Sequence, residues 1–341
     1  MKNGLMIYKA NDIYKNIGDY IQSIAAAQFI KKADVYIERE HLHEYSGEKV
    51  KLIMNGWFTH FPENWPPSND IDPLFVSFHI APRKANALLT PENIKYLKEH
   101  APIGCRDKET ETLLKSKDIP AYFSGCLTLT LGKSYVNNDK NGKYYFVDPY
   151  FKMSKNFFSL LSVSLLLVFK FRIIRKLSVK MKKSTSLKNL IKTSFFHKTY
   201  ARYFEKSFLL NAEYEPHAVL ETELGNEDDK FKYAHNLLTK YSKASVVITS
   251  RIHCALPCLG MDTPVIFVTD VDNKISKGRF GGLLELFNNI IVADGYKLIN
   301  IDKYLSKSGK IDKPIKVRNK TDYVAIKDRL IVQCEQFINQ K

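Results

Sequence analysis

The chain has 341 residues, 45% hydrophobic and 26% charged, a balance that excludes a disordered chain and leaves room for two domains of ordinary size. Its net charge of +16 is concentrated: fourteen Lys and Arg lie between residues 150 and 206 against one acid, Glu205, so this segment carries +13 of the total. Five cysteines, odd in number and without metal-ligand or disulfide-framework spacing, are expected as reduced thiols inside a cell, and the opening run Met1 to Tyr8 shows no signal-peptide pattern.

From the amino terminus, short apolar runs at 5–8, 35–37, 50–54, 74–78, 103–105 and 121–123 alternate with helical patterns at 17–31, from Thr90-Pro91-Glu92 onward, and at 107–117. Strand-helix alternation predicts a mostly parallel sheet with helices on its faces, Rossmann-like by topology only, because no G-x-G-x-x-G or G-x-x-x-x-G-K-[ST] follows any strand. The pattern resumes with strands at 143–147, 208–210, 246–248, 264–268, 282–287 and 290–292 and helices at 228–243 and 322–340. The predicted division is a first α/β domain over 1–135, a second over 136–341, and a helical insert over 151–206, with a cleft at the carboxyl ends of the strands.

Within the insert, residues 157–169 contain no charge. A helix of that length covers about 20 Å, short of the ~30 Å hydrocarbon core, so a span is not expected. Residues 170–183 then place Phe171, Ile174, Leu177 and Met181 on one face and Arg172, Arg175, Lys176, Lys180 and Lys183 around the rest, the makeup of a helix lying on an anionic bilayer surface. The alternative is a hairpin packed on the protein's own core. Aliphatic runs, rather than exposed aromatics, interleave the cations, which argues against a nucleic-acid partner.

The stretch most suggestive of chemistry is Val246-Val247-Ile248-Thr249-Ser250-Arg251-Ile252-His253, a buried strand running into a helix. Thr249 and Ser250 are residues expected at a helix cap, and a helix start is a ready anion site that Arg251 and His253 complete with a fork donor and a proton carrier. Asn16-Ile17-Gly18-Asp19 opens the first helix, where Asp19 either caps the helix or takes a proton from a hydroxyl. Asn55, Trp57 and His60 follow a strand and suit a sugar ring, with Trp65 and His79 behind them; Trp57 equally suits a core. Arg106, beside the capping Asp107, points into the cleft or over the surface. Arg279 is a further candidate cation, and Asp270-Val271-Asp272 reads as loop.

Taken together, Asn16-x-Gly18-Asp19, Asn55-Gly56-Trp57, Gly104-Cys105-Arg106-Asp107, Ser124-Gly125-Cys126-Leu127-Thr128 and Ser250-Arg251-Ile252-His253 followed by Pro257, Gly260 and Pro264 resemble the polysaccharide pyruvyltransferase family. The resemblance covers both halves and excludes the basic insert. It implies a glycosyltransferase-B-like fold and phosphoenolpyruvate as donor and co-substrate, without a further cofactor or metal. It also implies ketal formation on two hydroxyls of a sugar, typically galactose or N-acetylmannosamine, with galactose at positions 4 and 6 the expected case, in a polyprenyl-diphosphate-linked capsular or exopolysaccharide precursor of a bacterium. The family's Arg-x-His motif maps onto Arg251, Ile252 and His253, with Ser250 adjoining; Arg106 and Arg279 are candidates for its other donor-binding arginine, and Asn16, Gly18, Asp19, Asn55, Trp57 and His60 fall on the acceptor side. The expected location is the cytoplasmic face of the plasma membrane, held there by the insert. A membrane-associated glycosyltransferase using a nucleotide sugar is the alternative.

Overall fold

The computed structural model describes residues 1–9, 13–270, 280–312 and 315–340. Two six-stranded sheets organise it. The first is built from β1 (Lys2–Ile7), β3 (Val35–Glu38), β4 (Val50–Trp57), β5 (Ile71–His79), β6 (Ile103–Cys105) and β7 (Ala121–Phe123), all parallel, in the order β3-β1-β4-β5-β6-β7. The second takes β8 (Tyr144–Val147), β9 (Glu213–Glu215), β11 (Val246–Thr249), β12 (Val265–Asp270), β13 (Asn288–Ala293) and β14 (Lys297–Ile299) in the order β14-β13-β12-β11-β8-β9, with only β14 antiparallel. A two-stranded ribbon of β2 (Tyr14–Asn16) and β10 (Ala218–Leu220) ties the start of the chain to the second half.

The helices are α1 (Ile17–Ala27), α2 (Ala85–Leu88), α3 (Pro91–Glu99), α4 (Lys108–Lys115), α5 (Gly132–Tyr135), α6 (Phe157–Phe169), α7 (Phe171–Lys180), α8 (Leu187–Tyr200), α9 (Lys206–Asn211), α10 (Glu227–Ser242), α11 (Ile252–Gly260) and α12 (Val324–Asn339). One apolar layer lies between the sheets. Ile17, Ile21 and Ile24 of α1, Leu237 and Leu238 of α10, Leu256 and Leu259 of α11, and Leu127 and Leu129 join Ile53 and Val76 of the first sheet to Val247, Val265 and Phe267 of the second. Strands covered on both faces are apolar throughout, which is why their sequence runs do not alternate.

In that layer α11 meets the segment 127–132 backbone to backbone. A Cβ added at Gly260 would stand 2.1 Å from the Leu129 carbonyl oxygen, and one at Gly132 would stand 1.9 Å from that of Gly260. Only hydrogen fits at either position. Gly260→Ala is therefore expected to lower stability by about 1–3 kcal/mol, the range for overpacking a filled interior, and thermal unfolding of the full chain would measure it.

The structure corrects three readings. Residues 208–210 are not a strand: they lie in α9, with Phe208 and Leu209 buried against the second sheet, a case where a short apolar run fits either element. Residues 282–287 form a turn at Gly282, with φ +84, and a short 3₁₀ helix rather than a strand. Most of the face of α7 assigned to a bilayer belongs to the protein interior: Phe171 is 48% exposed, but Ile174, Leu177 and Met181 are buried, and the latter two pack with Phe196, Tyr200, Phe204 and Phe208 over the outer face of the second sheet, beside Phe146 and Ile248. Burial of each such side chain stabilises by about 2 kcal/mol, which outweighs any surface preference of the surrounding cations. Most of the basic segment is therefore the outer helical layer of the second sheet. Among the helices of this segment, α6 alone presents large apolar side chains along most of its length to solvent.

Candidate active site

Both sheets end their parallel strands around the start of α1. The ribbon places it there, since Ile17 N–H donates to the His217 carbonyl at 2.9 Å and Asn16 pairs with Ala218. Asn16 caps α1, its Oδ1 accepting from Gly18 N at 3.2 Å. Gly18 lies against His253 of α11: a Cβ at Gly18 would sit 3.0 Å from His253 Nδ1 and 3.1 Å from its Cβ. The absence of a side chain at residue 18 lets the imidazole approach the first half of the molecule.

On the second sheet, β11 leads into α11 as its residues predict, but the hydroxyls do not cap the helix. Thr249 Oγ1 accepts from Arg251 N at 2.9 Å and donates to the Val147 carbonyl at 2.7 Å, while Ser250 Oγ donates to the Asp148 carbonyl at 2.5 Å. Arg251 occupies the cap position, and no side chain caps α11 among the described residues. The positive end of the helix therefore suits an anion. Arg251 is half exposed, and its Nε donates to Asp148 Oδ2 at 3.0 Å.

Asp148, just past β8, is a residue that sequence reasoning missed. Its φ of +40 lies in the left-handed region, where a non-glycine residue is strained. Three contacts hold it: His217 N–H and Arg251 Nε both donate to Oδ2 at 3.0 Å, and Ser250 bonds its carbonyl. Lys183, from the α7–α8 turn, stands within its field. Burial pushes the Lys183 ammonium below its ordinary pKa, and the Asp148 charge partly opposes that. An acid directly after a buried strand and before Pro149 was the available signal.

On the first sheet, Arg106 follows β6 and is 1% exposed. Its backbone is fixed by an N–H bond to the Phe78 carbonyl at 2.9 Å, so the side chain enters the interior. There Nε forms a long ion pair with Asp107 Oδ2 at 4.0 Å, beyond hydrogen-bonding range, and neither Nε nor Nη2 has a hydrogen bond among the described residues. Burial lowers its pKa, and the Asp107 and Asp19 carboxylates partly oppose that. Asp107 is already engaged: it accepts from Thr110 N at 2.9 Å as the cap of α4, and its Oδ2 is 2.6 Å from His79 Nδ1. Burial raises the Asp107 pKa, but the His79 bond and the Arg106 charge hold the carboxyl below its usual range. An unmet buried guanidinium N–H is unfavourable by about 1–3 kcal/mol, so this position favours an anion.

Asp19 Oδ1 accepts from Arg39 Nη1 at 2.9 Å and from Gln22 at 3.3 Å. Arg39 is buried between Asp19 and Glu40, with its guanidinium 4.3 Å above the Tyr8 ring and its Nη2 unpartnered among the described residues. Burial opposes the Arg39 charge, and the two carboxylates more than offset it. Tyr8 in turn meets His60 Nε2 at 2.9 Å, and His60 packs on Trp57 at 4.2 Å between ring centroids. Trp57 is half-buried at the end of β4 with its Nε1 unmet among the described residues. Asn55 lies deeper, its Nδ2 donating to the Gln22 carbonyl at 2.9 Å to fasten β4 to α1. Gly56, with φ +148, would meet both Gln22 and Arg39 if it bore a side chain.

The structure thus gathers Asn16, Gly18, Asp19 and His253 at one junction and sets Arg251 with Ser250 at the second-sheet rim and Arg106, Trp57 and His60 at the first. Ile252 is buried in the first turn of α11. Trp65 belongs to an aromatic cluster with Phe58, Phe75, Phe78 and Tyr96, and His79 is held by Asp107. Arg279 and the Val271-Asp272 part of the D-x-D stretch lie outside the described residues.

The sequence model of the polysaccharide pyruvyl transferase family matches residues 16–273. The chain belongs to that family. Neither a curated protein nor a solved structure matches it. The pyruvyl transferase match begins at Asn16, the cap of α1, and extends past β12, so it contains every side chain placed at the junction above. The family's activity is pyruvyl transfer to polysaccharide.

Proposed function

We propose that the chain transfers pyruvate from phosphoenolpyruvate to two hydroxyls of one sugar, galactose bridged at positions 4 and 6, in a lipid-linked capsular or exopolysaccharide repeat unit. In this reading the two α/β halves, 1–135 and 136–341, work as in a glycosyltransferase-B arrangement, the first receiving the acceptor and the second the donor. The observation that carries the reading is Arg106, a fully buried guanidinium with two donors that lack a hydrogen bond among the described residues. A compact anion would satisfy both donors. Arg251 and the start of α11 hold one charged end of the donor, and Arg106 reaches for the other.

The chemistry then follows from what touches what. His253 gives a proton to the methylene carbon, making a methyl group and leaving the adjacent carbon electrophilic. One sugar hydroxyl oxygen bonds to that carbon and a second displaces inorganic phosphate. Two hydroxyl protons are released in all; one balances the proton added to carbon and one leaves with phosphate. Asp19, oriented by Arg39, or His60, oriented by Tyr8, takes the hydroxyl proton. Asp148 acts on Arg251 as a positioning residue.

Incubation of the full chain with phosphoenolpyruvate and an aryl or lipid-linked galactoside is expected to yield one ketal and one phosphate per acceptor, read by mass spectrometry and phosphate release. Transfer from a nucleotide sugar with no requirement for phosphoenolpyruvate would replace this reading with glycosyl transfer.

A further inference from the structure

With Ile174 and Leu177 of α7 absorbed into the core, α6 remains as thirteen residues without a charge, of which only Val163 is buried. Phe157, Phe158, Leu161, Leu165, Val168 and Phe169 point outward, Phe158 80% and Phe169 78% exposed. Water-facing aromatics in such number are unfavourable for an isolated chain and mark a contact surface. Every charge flanking them is positive: Lys155, Lys170, Arg172, Arg175 and Lys176 are exposed, and no acid occurs from residue 149 to 204.

The attachment of α6 decides where that surface lies. Val163 packs with Phe195 of α8 and with Tyr296, which follows β13 at the carboxyl end of the second sheet. Lys198 reaches over the Tyr296 ring at 4.2 Å, and Lys152 bonds Asp294 beside it. The same end of the sheet carries Asp148, Ser250 and Arg251. The exposed helix is therefore mounted on the rim of the site. It turns from α7 by 95°, and no single helix among the described residues is long and apolar enough to cross a membrane.

We infer that α6 lies in the surface of an anionic lipid bilayer, its apolar stripe among the acyl chains and the neighbouring cations on the head groups, so that the mouth of the site faces the membrane. Charge complementarity selects this occupant. A second copy of the chain would bring two strongly basic segments together across an isologous contact, with repulsion and no counter-charge. A negatively charged lipid surface accepts both the stripe and the cations. The inference rests on the pyruvyl-transfer reading only for what the bilayer would present, an acceptor carried on a lipid diphosphate.

Sedimentation of the full chain with vesicles tests it without turnover. Binding is expected to vesicles of phosphatidylglycerol and phosphatidylcholine, and to be weak with phosphatidylcholine alone. The triple variant Phe158→Glu, Leu161→Glu, Leu165→Glu changes exposed positions only, so its fold is expected to survive, checked by thermal unfolding. Its vesicle affinity is expected to fall about tenfold or more. A second variant, Arg172→Glu with Lys176→Glu, is expected to lose the preference for the anionic lipid. Full retention of the parent chain in the supernatant would overturn the inference, as would undiminished sedimentation of the triple variant. So would a lipid-free dimer that the triple variant dissolves, because α6 would then cover a second copy. Turnover on a water-soluble galactoside, unchanged in the triple variant, separates failure of docking from failure of the pyruvyl-transfer reading.

Discussion

Arg106→Met is expected to lower kcat/KM for phosphoenolpyruvate by about 10²-fold, close to 3 kcal/mol, while the folded chain stays as stable as the parent or becomes more so. The two halves of that expectation come from the same observation. A guanidinium that is 1% exposed and leaves Nε and Nη2 unmet is a liability in the empty protein, and an apolar side chain of similar volume removes the liability. Asp107 does not lose its support, because His79 and Thr110 still bind it. With donor present the sign reverses, since the fork that the anion requires is gone. Steady-state kinetics and thermal unfolding on the same preparation test both. A stability loss that parallels the activity loss would make Arg106 a structural residue and remove the main support for the donor site.

His253→Gln is expected to reduce kcat by about 10²- to 10⁴-fold with a much smaller change in KM for the donor, because an amide still hydrogen-bonds but delivers no proton to carbon. A general acid must be protonated to act, so the parent's kcat/KM is expected to fall on the alkaline side of its profile, and that limb is expected to flatten in the variant. Gly18→Ala supplies a companion test. Its methyl group would come within 3.0 Å of Nδ1 and 3.1 Å of Cβ, so the ring must turn away from the α1 junction. A loss of about tenfold in kcat, with donor affinity kept, is the expected result of such a misplacement. Equal kcat in both variants and the parent would take the imidazole out of the reaction.

Particular residues show how far the chain could be read in advance. The strand cores at 50–54, 74–78 and 246–248 and the helix starts at Asn16, Thr90 and Asp107 were legible, because short apolar runs and capping side chains act within a few residues of themselves. The order of motifs from Asn16 to Pro264 was legible for the same reason. Phe208 to Leu210 was not, since three apolar residues suit a strand and a helix equally until a neighbouring sheet selects one. The cap of α11 misled in a similar way: Thr249 and Ser250 are good cap residues, but the strand at their flank offers the Val147 and Asp148 carbonyls, and their hydroxyls bond there instead.

By itself the sequence determined the parallel α/β character, the place of the Arg251–His253 turn and the concentration of positive charge in one segment, all properties carried by near neighbours in the chain. Tertiary structure alone decided that Gly18 admits His253, that Asp148 rather than a hydroxyl orients Arg251, that Arg106 is buried with Nε and Nη2 lacking a hydrogen bond among the described residues, and that α6 presents its apolar side chains outward. The physical reason is common to these four. Each depends on which distant group occupies the space beside a side chain, and burial, pairing and exposure are set by that occupant and not by the residue's own type.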